Sequence, residues 1–356
     1  MSKASRFIYL TDIHVTDSKL DDYRWKFWPW LKAQVKEFQP DALFILGDLT
    51  EKKDKHSSQL VNKLIQELVE ISRCVNFDHE RMAQEVYILQ GNHDFIDADH
   101  AFFQFINQMP NFTFVKTPRI IEHYKHLLLP HTKTPEKDWE EFRFDINRWN
   151  GWTICMHQSM EGAKTSSGYV LEEKALPADF FKWVEARILS GDIHVPQSVH
   201  DVRYIGAPYP IYFGDTYQGY ITKVDESGKI VPVPYNTLSR WSLYINAPKE
   251  LEKIDFSPGD QAKITMNLAP TEYYLYDQYR KQILEIIHQA DVELVSLEMK
   301  PVRPRPKRIS LEDVGNNIKD GEKPEDTFKR FADREKLTYE YIVEGMAIIK
   351  AQRKEV

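Results

Sequence analysis

Residues 7–14 have the sequence Phe-Ile-Tyr-Leu-Thr-Asp-Ile-His, a short apolar run that ends in an Asp-x-His pair. Residues 42–48, Ala-Leu-Phe-Ile-Leu-Gly-Asp, form a second apolar run, which ends in Gly-Asp, and residues 86–94 contain a third, which ends in Gly-Asn-His-Asp. Apolar residues at helical spacing separate the three runs. Strands that alternate with helices predict a largely parallel sheet, whose ligands gather at the carboxyl ends of its strands.

The later half of the chain is richer in predicted strands. These strands are expected at residues 152–157, 187–190, 202–205, 219–224 and 242–245. Two sheets packed face to face, with helices outside, accommodate them better than one open sheet does. We therefore predict an α/β fold built on a two-sheet sandwich that is flanked by helices.

Three parts are predicted along the chain. Residues 1–248 form the main domain, and residues 249–302 form a small α+β capping domain. The cap is predicted from a strand, helix, strand pattern at residues 261–268, 271–289 and 292–299. Residues 303–356 are expected to form a basic linker and a helical tail.

The linker and the tail have distinct patterns. Basic residues alternate with prolines from Lys300 to Arg308, which favours a stiff, solvated linker; a strap that contacts phosphates is the alternative. One apolar helical stripe follows in the tail, at Tyr339, Ile342, Val343, Met346 and Ile349.

Composition limits the class of protein. The net charge of −7 argues against a protein that holds nucleic acid by bulk charge, so any contact with DNA must be local. The sequence has no apolar run of membrane-spanning length, and its start lacks the apolar core of a signal peptide. Its two cysteines give no disulfide framework. A reduced, cytoplasmic protein without membrane contact is the expectation.

Five polar clusters lie at or directly after predicted strand ends. They are Asp12–His14, Gly47–Asp48, Gly91–Asp94, Met156–Gln158 and Gly191–His194. A lone Asp-x-His pair would usually be incidental, and a lone Gly-Asn-His-Asp could be a turn. Together at strand ends, however, the five clusters predict one shared site.

Mixed carboxylate, imidazole and amide ligands suit Mn, Fe or Zn. Two such ions, about 3.5–4 Å apart, could hold a phosphate and activate water, and Asp48 is the natural bridging carboxylate.

This constellation resembles the calcineurin-like metallophosphoesterase superfamily, whose pattern is Asp-x-His, Gly-Asp, Gly-Asn-His-Asp/Glu, His and Gly-His-x-His. The resemblance covers residues 6 to about 223. Within the superfamily the chain is similar to the SbcD type and its viral and eukaryotic relatives, the nuclease subunits of double-strand-break processing complexes. Residues 202–208 followed by Phe213-Gly-Asp215 are similar to a Gly-Ser/Thr-Pro segment of that type. The cap and the tail also match.

The resemblance implies a role for each site residue. One metal ion would be held by Asp12, His14, Asp48 and His194, and the other by Asp48, Asn92, His157 and Asp192. His93 would not bind metal but would protonate the leaving oxygen or stabilise developing charge, and Asp94 would orient His93.

Position 192 departs from the pattern, because the family usually has histidine there. A carboxylate at this position would favour Mn²⁺, or Mg²⁺ as the second choice. The alternative is that Asp192 has rotated away and leaves the second ion weakly held.

The resemblance also implies a function. We expect a Mn²⁺-dependent DNA exonuclease and endonuclease at DNA ends, the nuclease subunit of an SbcC-SbcD-like recombination and repair complex. Its tail would bind an SbcC-like ABC-type ATPase. The chain would form a homodimer through apolar helices at residues 60–71 and 101–106, and burial of these helices within the protomer is the alternative. A viral member would act in the host cytoplasm. One alternative is a phosphoesterase for a phosphoprotein or small phosphodiester. Another is a non-enzymatic scaffold in which Asp192 marks a decaying site.

Overall fold

The computed structural model describes residues 5–74, 85–97, 100–143, 148–172, 175–182 and 184–301, and also residues 326, 328, 329, 332 and 333. The chain forms two compact units, residues 1–301 and 302–356. Every strand in the described part of the chain lies in the first unit. The apolar stripe predicted in the tail lies outside the described residues.

The first sheet has six strands, numbered along the chain. They are β1 (Phe7–Leu10), β2 (Ala42–Ile45), β3 (Glu85–Leu89), β4 (Phe112–Val115), β11 (Tyr220–Val224) and β12 (Ile230–Pro234). Their order across the sheet is β12-β11-β1-β2-β3-β4. Strands β1 to β4 are parallel, and β11 and β12 pair antiparallel at one edge. The apolar sequences of β1 and β2 follow from their burial on both faces.

The second sheet also has six strands. They are β5 (Arg119–Ile121), β6 (His126–Leu129), β7 (Thr153–His157), β8 (Arg187–Gly191), β9 (Gln197–Val199) and β10 (Val202–Tyr204). Their order is β5-β6-β7-β8-β10-β9, and the four central strands are parallel. This sheet therefore also brings several carboxyl ends to one edge.

The two sheets pack face to face over a shared aromatic core. The Phe44 ring stacks on Tyr9 at 5.2 Å and on Tyr87 at 5.1 Å within the first sheet, and on His126 of the second sheet at 4.6 Å. His126 Nε2 also lies 2.7 Å from the Tyr9 hydroxyl oxygen. The His126 side chain is 1% exposed, because the aromatic rings cover it and polar partners satisfy its nitrogens.

Helices cover the outer faces. They are α1 (Asp22–Trp25), α2 (Phe27–Phe38), α3 (Ser58–Ser72) and α4 (Pro135–Asp138), with 3-10 helices at Lys19–Asp21, Phe102–Gln108, Glu122–Tyr124 and Glu140–Arg143. In α2, Leu31 and Val35 are one helical turn apart and pack on the first sheet. Ser57 caps the N-terminus of helix α3, because its hydroxyl accepts a hydrogen bond from the Leu60 N–H. No helix in the described ranges combines the length and apolar character needed to span a membrane.

The apolar helices expected to form a homodimer surface are mostly used inside the protomer. Leu64 and Leu68 of α3 are fully buried, as are Phe103 and Ile106 of the 3-10 helix. Among the phenylalanines of that helix, Phe105 is the exposed one, at 43%. The homodimer stays a prediction, although the protomer itself buries most of the apolar surface that was expected to form it.

A third, smaller sheet completes the first unit. It contains β13 (Arg240–Ile245), β14 (Gln261–Leu268) and β15 (Glu293–Pro301), all parallel, with helix α5 (Tyr276–Gln289) between β14 and β15 and 3-10 helices at Pro248–Lys253 and Pro270–Leu275. The predicted strand, helix, strand pattern is confirmed, but β13 joins this sheet rather than the sandwich. The predicted α/β class with a two-sheet sandwich and flanking helices is confirmed. The exact domain bounds stay predictions.

Candidate metal centre

The predicted site clusters all lie at the carboxyl ends of parallel strands. Asp12 follows β1, Asp48 follows β2 and Asn92 follows β3, whereas His157 ends β7 and Asp192 follows β8. The first two ends are joined directly, since the Asp12 N–H donates to the Gly47 carbonyl at 3.1 Å and the His14 N–H donates to the Asp48 carbonyl at 3.0 Å. The packing of the sheets thus brings five distant segments into one crevice.

Four of the predicted ligands have left-handed backbone, which is rare for residues other than glycine. The φ angles are 52° at Asp12, 45° at His14, 55° at Asp48 and 80° at Asp192. Each such residue costs conformational energy, and such residues concentrate at functional sites. The chain therefore turns sharply just where its polar side chains enter the crevice.

The first group of side chains is Asp12, His14 and His194. The Nε2 atoms of His14 and His194 are 3.2 Å apart, and each lies within 3.9 Å of Asp12 Oδ1. Asp12 is fully buried, and neither of its carboxylate oxygens has a hydrogen-bond partner among the described residues. A buried carboxylate without a partner is costly. A divalent cation would satisfy both oxygens and both nitrogens, so the group fits a metal ion.

The second group surrounds His157. Its Nε2 atom lies 3.4 Å from Asp48 Oδ2, 3.1 Å from Asn92 Oδ1 and 3.9 Å from Asp192 Oδ1. Its Nδ1 atom donates to the Leu46 carbonyl at 2.5 Å, which leaves the Nε2 lone pair free to bind a metal ion. Asp192 therefore lies within reach of this group.

Asp48 lies between the two groups. Its Oδ2 atom is 3.4 Å from His14 Nε2 and equally 3.4 Å from His157 Nε2. Among the residues that the structure describes, three sets of side chains have potential ligand atoms within 4.8 Å of one another, and Asp48 belongs to two of them: Asp12 with His14 and His194, Asp12 with Asp48 and His157, and His14 with Asp48 and His93. This position is the one that a bridging carboxylate would need.

Two glycines are required for this close approach. A Cβ atom at Gly91 would lie 2.1 Å from Asp48 Oδ1, and one at Gly47 would lie 2.3 Å from His157 Nδ1. Gly47 also has φ +103°. The glycines before Asp48 and Asn92 thus serve the packing of the site as well as its turns.

The pKa directions indicate a site that needs positive charge. Burial would lower the pKa of His14, but the neighbouring carboxylates outweigh it and raise that pKa to about 10. Burial would likewise lower the pKa of His157, but Asp48 raises it well above its usual range. Burial raises the pKa of Asp192 to about 6, and the nearby carboxylates contribute to the rise. Protons here supply charge that bound cations would replace.

His93 lies beside the first group but has a different anchor. Its ring centroid is 4.7 Å from that of His14, and its Nδ1 atom lies 2.6 Å from the Glu51 carbonyl oxygen. The backbone N–H of His93 donates to Asp48 Oδ1 at 2.8 Å. With Nδ1 engaged by a carbonyl, Nε2 is the atom left for chemistry.

The hydrogen bonds of Asp94 differ from the role predicted for it. The family resemblance predicts that Asp94 orients His93, but its carboxylate accepts the N–H groups of Asp48 at 2.8 Å and Gly91 at 2.9 Å, and more weakly that of Leu49 at 3.3 Å. The tight turn after Gly91 points Asp94 back into the loop that carries Asp48. Asp94 is therefore a positioning residue for the loop.

Sequence reasoning missed Glu51 and Arg24. Glu51 follows Asp48 by three residues, and its carboxylate lies 3.3 Å from His14 Nδ1 and 3.5 Å from Arg24 Nη1. Burial would raise the pKa of Glu51, but its contact with His14 outweighs this effect and lowers that pKa to about 2. The available signal was its closeness to Asp48 in sequence.

A two-sheet sandwich with carboxylates and imidazoles gathered at its strand ends defines a metallophosphoesterase domain. Consistent with this, the family model of the calcineurin-like phosphoesterases matches residues 5–196, which include every predicted site residue. The chain belongs to the calcineurin-like phosphoesterase family. No curated protein matches the chain.

Proposed function

We propose that the chain is a two-metal phosphodiesterase that cleaves DNA at its ends. The observation that carries the proposal is the buried carboxylate of Asp12, which has no hydrogen-bond partner among the described residues and lies within 3.9 Å of two imidazole nitrogens. When bound, two divalent cations would supply Lewis acidity and an activated water for in-line displacement at phosphorus. Asp12, His14, Asp48 and His194 would hold one ion, and Asp48, Asn92, His157 and Asp192 the other.

His93 is the residue proposed to act on the substrate. The Glu51 carbonyl fixes its Nδ1–H, so that a protonated Nε2 can donate to the oxygen that leaves phosphorus. The site carries three carboxylates, at Asp12, Asp48 and Asp192, and hard oxygen ligands favour Mn²⁺, with Mg²⁺ as the second choice.

The surface next to the centre supports DNA as the substrate. Tyr212 stacks on His194 with the ring centroids 5.4 Å apart, and the following residue, Phe213, has its ring 4.3 Å from Lys263 Nζ. Lys263 and Tyr244 lie on the open face of the third sheet, where Tyr244 is 74% exposed. Aromatic rings interleaved with a basic side chain suit the bases and phosphates of a DNA strand. A small phosphodiester would need none of this surface.

The proposed setting is an SbcC-SbcD-like recombination and repair complex. The chain would act as its nuclease subunit, with an ABC-type ATPase bound by residues 303–356, and would form a homodimer. The support is the family resemblance together with the apolar stripe in the tail sequence. Removal of residues 308–356 should keep Mn²⁺-dependent hydrolysis but lose the ATPase from a pull-down; equal capture by both chains would argue against this role of the tail.

The test of the substrate compares four phosphate esters in the presence of Mn²⁺. Linear duplex DNA, covalently closed duplex DNA, a phosphopeptide and bis-p-nitrophenyl phosphate are offered at equal phosphorus concentration. Rapid release of nucleotides from linear DNA, with slower attack on the closed circle, supports the proposal. Hydrolysis of the phosphopeptide or the small diester without cleavage of either DNA would favour the alternative substrate class. No hydrolysis and no bound metal would favour a scaffold.

A further inference from the structure

The side chain of Glu51 and the ring of His14 form a pair that no role assigned so far explains. Glu51 Oε2 and His14 Nδ1 are 3.3 Å apart, and both atoms are buried. Within the described ranges neither atom has a formal hydrogen-bond partner. Each is therefore the best available partner of the other, and the short movement needed to close a hydrogen bond would satisfy both.

The buried guanidinium of Arg24 holds the Glu51 side chain in this position. Arg24 is buried, and its guanidinium lies 3.5 Å from Glu51 Oε2 and 3.3 Å from Asp21 Oδ1. Arg24 also donates to the backbone carbonyl oxygens of His14 and Ile211. The arginine thus joins Glu51 to the same turn that carries His14, and Asp21 gives it a second counter-ion.

We infer that Glu51 is a positioning residue that fixes the His14 ring for metal binding. A proton on His14 Nδ1, held by the Glu51 carboxylate, leaves Nε2 as the free lone pair, and Nε2 faces Asp48 Oδ2 and His194 Nε2. This inference rests on the proposed two-metal function. It goes beyond that function in assigning a residue that is not itself a ligand.

The backbone of Glu51 has a separate role from its side chain. Its carbonyl oxygen holds His93 Nδ1 at 2.6 Å, and a side-chain substitution leaves this carbonyl in place. Loss of the carboxylate should therefore weaken the metal centre while His93 keeps its anchor. Weaker Mn²⁺ binding with His93 still anchored would therefore distinguish loss of the Glu51 carboxylate from distortion of the whole loop.

The experiment measures Mn²⁺ binding to the full chain by isothermal titration calorimetry, alongside hydrolysis of bis-p-nitrophenyl phosphate as a function of Mn²⁺. For Glu51→Ala we expect the Kd for Mn²⁺ to rise about 10- to 100-fold, the usual effect of losing a partner behind a histidine ligand. Glu51→Gln should fall between this variant and wild type, because its amide oxygen can still accept from Nδ1–H. At saturating Mn²⁺, the hydrolysis rate of both variants should return to within a few fold of wild type.

The matched control is Glu122→Gln, which removes an exposed carboxylate paired with Arg148 and should leave Mn²⁺ binding unchanged. Wild-type Mn²⁺ affinity in Glu51→Ala would overturn the inference, as would a rate that saturating Mn²⁺ does not restore. If wild type itself binds no Mn²⁺, the proposed function fails first, so the two failures are distinguishable.

Discussion

Replacing Asp94 tests whether this carboxylate supports the loop that carries Asp48 or orients His93. Its Oδ2 atom accepts both short hydrogen bonds, from the Asp48 and Gly91 N–H groups, and Oδ1 accepts the longer one from Leu49. Asp94→Asn can keep the two short bonds by placing its amide oxygen at the Oδ2 position. Asp94→Ala leaves all three N–H groups without their acceptor.

The size of the effect follows from comparing the two variants. Burial raises the pKa of Asp94 to about 6, and the Asp48 carboxylate contributes to the rise. Holding this carboxylate ionised therefore costs free energy in the folded protein, and both variants remove that cost. At about 1.4 kcal/mol for each pKa unit, the cost is at most about 3 kcal/mol. Because both variants lack the carboxylate, it does not contribute to the difference in stability between them. Two buried N–H groups without an acceptor cost about 1–3 kcal/mol each. Asp94→Ala should therefore be about 2–6 kcal/mol less stable than Asp94→Asn.

Urea unfolding at pH 7.5 in the presence of a chelator measures this gap, and Mn²⁺ titration then follows the metal centre. Asp94→Asn should bind Mn²⁺ and hydrolyse bis-p-nitrophenyl phosphate at close to the wild-type level, whereas Asp94→Ala should bind Mn²⁺ more weakly because Asp48 is no longer held. The reasoning is refuted if Asp94→Asn is stable and binds metal but is as inactive as a His93 variant. That result would return Asp94 to the role of orienting His93.

Three further predictions concern single residues. His93→Ala should abolish hydrolysis while both metal ions stay bound, as measured by metal analysis of the same sample; loss of the ions would make His93 a ligand instead. Asp192→Ala should raise the Mn²⁺ requirement steeply and Asp192→His should restore activity and broaden the choice of metal, whereas an alanine variant equal to wild type would show that Asp192 does not bind metal. Burial lowers the pKa of His126 from an ordinary value near 6.5 to about 4. The unfolded chain therefore binds a proton at His126 more readily than the folded protein does. For this reason the free energy of unfolding is highest above pH 6.5 and falls by about 3 kcal/mol as the pH drops to 4. Urea unfolding measures the decrease in the free energy of unfolding between pH 7 and pH 5. This decrease should be smaller in His126→Gln than in wild type, whereas the exposed control His123→Gln should show the same decrease as wild type.

Local sequence pattern was enough to predict the strands that build the site. Runs such as 42–46 are apolar throughout because both faces of a central parallel strand are buried, and this burial marks them in a single sequence. The same local pattern could not say which strands pair. Residues 242–245 were expected in the sandwich, yet the strand Arg240–Ile245 pairs with Gln261–Leu268 in the third sheet. Pairing depends on partners far along the chain.

Apolar faces show the same limit. The helix Ser58–Ser72 and the phenylalanines at 102–105 have enough apolar surface for a partner, but the protomer itself covers most of it. A sequence shows how much apolar surface a helix has but not what covers it. Packing against another element of the same protomer and packing against another chain require the same apolar sequence pattern.

The sequence by itself determined the α/β class, the strand ends that carry polar residues and the kinds of side chain that gather there. These features depend on residues close together in the chain, which local periodicity records. The tertiary structure decided the roles of the supporting groups. Asp94 holds the Asp48 loop, and Glu51 faces His14 with Arg24 behind it. Their partners are set by how strand ends and helices pack, and a single sequence carries no local mark of contacts between segments that meet only in the folded chain.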